Sequence, residues 1–282
     1  MKLKALAKAV TPPIIWELAR HWLLQVGRPE WEYIPEGWER ARHDARIKGW
    51  NEPSVLQAYL EKWPGFNQNI AGAKPLGLSP EAGQATSEDL AQHNTFMVFG
   101  YCLALAARQK NSLSLLDWGG GIGHYYLISR ALLPDVAIDY HCKDVSVLAE
   151  HGRTLLPEAH FYTDESCLQR RYDFVLASGS LHYSEDWSAT LRGLAHATGG
   201  YLLVTRLPTI GHAASYVFVQ RPYRYGYRTE YLGWCLNRRD FIEVAQEAGL
   251  SLMREFLIGE RPPIHGAPEP CEYRGFLFRM LR

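Results

Sequence analysis

One stretch, Leu115-Leu116-Asp117-Trp118-Gly119-Gly120-Gly121-Ile122-Gly123, constrains the fold more than any other part of this 282-residue chain. An apolar run enters D-x-G-x-G-x-G and an amphipathic segment follows, which is how a strand turning into a helix reads. Glycines in such a turn can take positive φ, let a ligand lie on the backbone, and bring the helix close to the strand. Strand ends of this kind are where open α/β sheets bind ligands. Asp117, two residues before the first glycine, is placed to meet a cationic group, which a pyrophosphate does not offer. Gly119, Gly120, Gly121 and Gly123 are thus the candidate ligand cradle.

The residues after this turn alternate short apolar runs with segments of helical length, as expected for an α/β fold with a mostly parallel sheet. Strands are expected at Ser114–Asp117, Ala137–Lys143, His160–Thr163, Asp173–Ser178 and Tyr201–Thr205, after a lead-in helix over Glu88–Gln109. Two more, near Leu252–Ile258 and Tyr273–Met280, flank a Pro-rich connection too short for a crossover helix, so they should pair antiparallel. This makes a seven-stranded Rossmann-like sheet with a C-terminal hairpin. Asn237 should cap a helix over Arg238–Ala248, closed by Gly249.

Upstream, the chain is rich in tryptophan and charge, with helices suggested over Ile14–Leu24, Glu36–Lys48 and Glu52–Lys62. Residues Pro64–Ser87 concentrate Gly, Pro and Ala and read as a loop. Residues 1–87 are therefore expected to form a helical extension, and 88–282 the main domain. Thirty basic residues balance thirty acidic ones. Without a net field, nucleic acid is not the expected partner. The Met1–Leu24 stretch is basic and amphipathic but broken by Thr11-Pro12-Pro13, so no transmembrane span is expected and peripheral membrane contact stays open. The five cysteines show no C-x-x-C pair and the histidines no H-E-x-x-H, so buried free thiols, no metal and a cytoplasmic setting are expected. Oligomeric state is not legible.

Further acids fall at the next strand ends. Asp144, about twenty residues past the turn, could bind both hydroxyls of a ribose, or cap the following helix. Asp164 could accept from an adenine amino group, or equally cap a helix. This order of motifs, with Tyr172–Ser178 (YDFVLAS), resembles the class I methyltransferases that use S-adenosylmethionine. The resemblance covers Glu88–Arg282 and implies that Gly119, Gly121 and Gly123 carry the methionine part and Asp144 the ribose. A narrower resemblance is to the methyltransferases encoded among bacterial lipopolysaccharide and O-antigen genes. It rests on the Pro-Pro start, the tryptophan-rich preamble, D-x-G-G, Asp173–Tyr183 (DFVLASGSLHY) and Tyr231–Phe241 (YLGWCLNRRDF). It implies O-methylation of a glycan, sugar nucleotide or small metabolite. Lys143-Asp144-Val145-Ser146 departs from the expected acid, apolar residue and proline, and Asp for Glu shortens the reach to ribose.

Ser178-Gly179-Ser180-Leu181-His182-Tyr183 ends the fourth expected strand. Ser178 is a cofactor-site candidate, and His182 the candidate general base, with packing over the cofactor as its alternative role. His124 and His212 are weaker candidates. Between Arg206 and Arg239 arginines and tyrosines interleave, which suits a sugar face or a phosphate, or else a solvated insertion. Two other functions fit the sequence less well. A nicotinamide-dependent oxidoreductase would need G-x-G-x-x-G, which fails in both frames at His124 and Tyr126. A glycan-binding or scaffold protein that kept the fold would not need Asp117, four glycines and Asp144 together.

Overall fold

The computed structural model describes residues 28–78 and 89–281. The helix expected over Ile14–Leu24 lies outside them, as do residues 79–87 of the expected loop and residue 88, where the lead-in helix was expected to start. In chain order the described elements begin with β1 (Trp31–Ile34), α1 (Gly37–Ala41), α2 (Pro53–Ala71), α3 (Leu90–Ala107) and β2 (Ser112–Trp118). Next come α4 (His124–Leu132), β3 (Ala137–Lys143), α5 (Ser146–Leu155), β4 (His160–Tyr162), β5 (Tyr172–Ser178) and α6 (Trp187–Ala197). The chain closes with β6 (Thr198–Ile210), β7 (Tyr216–Gln220), β8 (Tyr231–Asn237), α7 (Arg238–Glu247), β9 (Leu250–Leu257) and β10 (Glu272–Met280).

Helices cover both faces of the sheet, and the strands are apolar on both sides for that reason. Along β2, Leu113 and Leu115 join the core beneath α2 to α5, while Leu116 and Trp118 join the core beneath α6 and α7. Phe174 and Leu176 alternate with Val175 and Ala177 in the same way along β5. All seven expected strands are present, and β9 and β10 form the expected antiparallel hairpin. Asn237 caps α7 through the backbone amides of Arg239 and Asp240.

Three additions correct the seven-strand expectation. Among the described residues the sheet has ten strands, because β1, β7 and β8 extend it in the order β1-β7-β8-β6-β5-β2-β3-β4. β7 and β8 lie inside the Arg206–Arg239 segment; both are short, almost wholly buried runs without period-two alternation (YVFVQ and YLGWCLN), and the arginine-rich turn between them drew the reading instead. α2 runs on through Pro64 and Gly65 to Ala71, although that stretch was expected to be loop. Its buried face (Val55, Tyr59, Trp63, Phe66) keeps helical spacing across the proline, and packing outweighs the breaker. The helix expected over Glu36–Lys48 ends instead at Ala41. Beyond it the backbone pairs with the start of β8: Ile47 bridges Glu230, and Gly49 donates to the Glu230 carbonyl.

The strand β6 sets the geometry of the site. Its edge pairs with β5 as far as Thr205 opposite Ser178, then with β8 from Thr209 opposite Leu236. Between these partners lies a bulge, where Thr205 and Arg206 together oppose Gly275 of β10. Arg206 there has φ of 49°, a left-handed conformation uncommon outside glycine. The divergence of β5 and β8 leaves room for the turn Gly179–Tyr183.

Candidate active site

The glycine turn lies at the C-terminal end of β2, as expected. Gly119 and Gly121 have φ of 74° and 63°. Neither has room for a side chain, since a Cβ would lie 2.3 Å from Ser180 Cβ at Gly119 and 2.6 Å from Tyr59 Cε1 at Gly121. Gly123 starts α4 in the left-handed region, and Gly120 presses on the Asp117 carboxylate. The turn is thus wedged between the Ser180 loop and α2.

Asp144 ties this turn to β3. Its Oδ2 accepts from the Gly121 amide at 2.7 Å and its Oδ1 from the Val145 amide at 2.6 Å. It does not cap α5, whose N-cap is Val145. Asp144 lines a chamber of about 540 Å³, together with Gly119, Trp118, Lys143, Val145, Leu148, Leu168, Ser178 and Gly179. Trp50 and Tyr59, from the N-terminal elements, complete its wall.

Two expected site residues are placed otherwise. Asp117 is fully buried and is absent from that wall; it accepts a hydrogen bond from the Tyr140 hydroxyl beneath the turn. It lies directly under Gly120 of the turn, and burial beside it pushes the Tyr140 hydroxyl well above its ordinary pKa. Asp164 caps the short 3-10 turn Glu165–Gln169 through the Ser166 amide, and Glu165 lines the chamber instead. Hydrogen bonds from Ser166 hold the Asp164 carboxyl below the usual carboxylate range. Ser178, at the end of β5, shares a 2.7 Å hydrogen bond with the Tyr125 hydroxyl and does face the chamber.

A second, smaller chamber of about 280 Å³ adjoins the first, sharing Trp50, Gly179 and Tyr183 with it. Its walls are Trp31, His182, Tyr227, Tyr231 and Tyr273, with Gln220, Arg206, Arg224 and the loop residues Glu260–Pro263. Trp50 stacks on Tyr231 with 4.4 Å between ring centroids and meets Tyr183 at 5.1 Å. His182 is 1% exposed and packs on Tyr183 at 3.9 Å. Its burial, and secondly the Arg206 guanidinium, hold its pKa well below the usual histidine range. His182 is therefore neutral at physiological pH.

The arginine and tyrosine segment does reach His182, through β7, β8 and the turn between them. Its arginines differ in role. Arg221 is 5% exposed and bound to Glu230, Glu32 and the Pro29 carbonyl, so it is a packing element. Arg228 is exposed and does not line the chamber, and Arg224 lies at its rim. The two weaker histidines are elsewhere: His124 is buried against Phe66 and Tyr125, and His212 is exposed beside Glu269.

All five cysteines are buried and free. Asp139, His141 and His160 bring ligand-type atoms within 4.8 Å of one another across β3 and β4, a grouping that sequence spacing hides. The Arg170 guanidinium already contacts both Asp139 and His141 there. Among the described residues no helix is long and apolar enough to cross a membrane.

Trp50, Tyr59, Leu168 and Tyr183 were missed from sequence. Tyr183 adjoins the motif that was recognised, but Trp50 and Tyr59 reach the site only through the tertiary tie of their segment to β8 and through α2 packing.

No curated protein matches the sequence. A solved structure from Galdieria sulphuraria, provisionally described as a sarcosine dimethylglycine methyltransferase, is similar at 15% identity and TM-score 0.51, over 81% of this chain and 98% of that one. At that identity the likeness shows a shared fold. The 1,6-didemethyltoxoflavin-N1-methyltransferase of Burkholderia thailandensis, solved with S-adenosylhomocysteine, aligns at 12% identity and TM-score 0.45 over 82% and 91% of the chains. A family model described as a methyltransferase domain matches residues 95–255, more than half of the chain and the whole of the glycine turn, Asp144 and His182. The chain therefore belongs to the methyltransferase domain family and is an S-adenosylmethionine-dependent methyltransferase.

Proposed function

We propose that the protein methylates a hydroxyl of a glycan, sugar nucleotide or related small metabolite held in the smaller chamber, with the larger one holding S-adenosylmethionine. The observation that carries this reading is the pair of joined chambers, one bordered by the glycine turn and Asp144, the other by a buried neutral histidine. The larger fits the cofactor: its volume lies in the ordinary range for ligand pockets, about 300–1,000 Å³, and its turn rejects any side chain at Gly119 and Gly121. Asp144 would hold the ribose, Val145, Leu148 and Leu168 the adenine, and Gly119 with Ser178 the methionine end. The cofactor supplies a methyl group on an already positive sulfur, so positioning provides most of the rate gain.

The protein's own groups then have three tasks. Trp50 and Tyr183, at the shared wall, exclude water and fix the acceptor's approach. The neutral ring of His182 accepts the hydroxyl proton at one nitrogen. Because its burial disfavours a charge, that transfer is uphill unless positive charge is discharged next door at the same time. Residues 1–87 serve as an extension of the Rossmann-like domain of 88–282; its β1 adds a strand to the sheet, and its Trp50 and Tyr59 line the larger chamber. Five free thiols fit a reducing, cytoplasmic setting.

The test is S-adenosylhomocysteine release with panels of nucleotide sugars, monosaccharides and phenols. Turnover with an oxygen acceptor, lost in His182→Ala, supports the reading. Turnover only with amine acceptors would remove the hydroxyl assignment.

A further inference from the structure

The wall of the smaller chamber carries polar atoms that the protein itself does not use. The Trp50 indole N–H and both ring nitrogens of His182 are buried without a hydrogen-bond partner among the described residues. Buried polar groups are almost always paired in native proteins, so these call for a ligand. A neutral imidazole offers one acceptor and one donor, and an indole one donor. Their complement is a molecule that gives one hydrogen bond and receives two.

Charge narrows the class further. Each arginine of the wall has a carboxylate partner: Arg206 with Glu260 at 3.2 Å, Arg224 with Glu30 at 2.8 Å, Arg261 with Glu272 at 3.1 Å. Such neutralised arginines have little left for a phosphate or carboxylate. The flat faces of Trp31, Tyr227 and Tyr231, with Pro262 and Pro263, suit a ring. A volume of about 280 Å³ falls at the low end of ligand pockets and holds one ring with its substituents.

We infer that the smaller chamber binds the methyl acceptor as a single uncharged ring bearing at least two oxygens. The reacting hydroxyl donates to His182, while the Trp50 indole N–H donates to a second oxygen. This rests on the larger chamber being the methyl donor's site. Monosaccharides and catechol-type rings share the chemistry, and the test separates them.

The protein is first titrated with S-adenosylhomocysteine by calorimetry; absence of binding there would sink the donor-site reading and with it the inference that rests on it, whereas the probes that follow test this inference alone. With that product bound, the Trp50 indole N–H resonance, identified by its loss in Trp50→Phe, is followed by NMR. The probes are catechol, methyl glucoside, phenol, cyclohexanol and glucose 1-phosphate. The expected result is a saturable shift with catechol or with methyl glucoside, whichever names the ring type. Binding by phenol, cyclohexanol and glucose 1-phosphate should be about tenfold weaker or more, and Trp50→Phe, followed by calorimetry, should lower the two-oxygen probe to that level. The inference is overturned if neither two-oxygen probe moves the resonance, if one-oxygen rings bind as tightly, or if the phosphate binds best.

Discussion

The two chambers share a wall but are built differently. The larger is built around main-chain geometry: three glycines in the left-handed region, a carboxylate taking two main-chain amides, and the ends of parallel strands, with side chains closing the wall. The smaller is made of side chains from β1, the Trp50 segment, β7, β8, the β6 bulge and the loop before β10. A backbone site tolerates few sequences and so repeats across a family, whereas a side-chain site can be rebuilt residue by residue on the same frame. On the proposed reading, the constant part of the reaction belongs to the first chamber and the individual part to the second.

The comparison breaks most visibly at His182. His182→Ala should lower turnover by about two to four orders of magnitude while product affinity stays within about threefold. Equal loss of both, measured by steady-state kinetics and calorimetry, would make His182 a packing residue of the cofactor chamber. The same residue predicts a pH effect. The folded protein holds its pKa well below the ordinary value near 6.5, so the unfolded chain takes up the proton first on acidification. Stability should therefore fall as pH drops below about 6.5, the acidic limb of activity should lie lower still, and His182→Ala should flatten the stability profile in thermal melts.

Arg221→Ala probes the support of the second chamber rather than its specificity. Removing one member of this buried ion network should cost about 3–5 kcal/mol of stability, read by denaturant unfolding. A stable variant with only a raised acceptor KM would make Arg221 a binding residue after all. Asp144→Ala should weaken cofactor binding by about 1–3 kcal/mol, and an unchanged dissociation constant would leave it only its tie to the turn. Asp164→Ala should be the mildest, altering cofactor affinity by less than about 0.7 kcal/mol, since its carboxylate is spent on a cap. A larger loss would return it to the adenine end.

What could be read from sequence follows the same division. The glycine turn, the strand-end positions of Asp144 and Ser178, and the seven expected strands announce themselves through local signals: spacing, alternation and caps. The capping pattern at Asn237 and Gly249 is legible for the same reason. Asp117 and Asp164 were placed on the right strand ends; for Asp164 the capping alternative is the one the structure has, while the Tyr140 hydroxyl beneath Asp117 gave no sequence signal, because direction depends on what lies beneath a turn. Trp50 and Tyr59 gave no signal, since pairing of Ile47 and Gly49 with Glu230 bridges most of the chain's length. Pro64 and Gly65 misled, because a breaker inside a well-packed face is overruled by its neighbours.

Calorimetric titration of S-adenosylhomocysteine into the intact protein and into Gly121→Val tests the central claim most directly. A valine there meets both a φ of 63° and the Tyr59 ring. The account predicts one saturable site in the natural chain and a loss of about a hundredfold or more, ~2.7 kcal/mol, in a variant that still melts cooperatively. Binding of undiminished strength in Gly121→Val would contradict it.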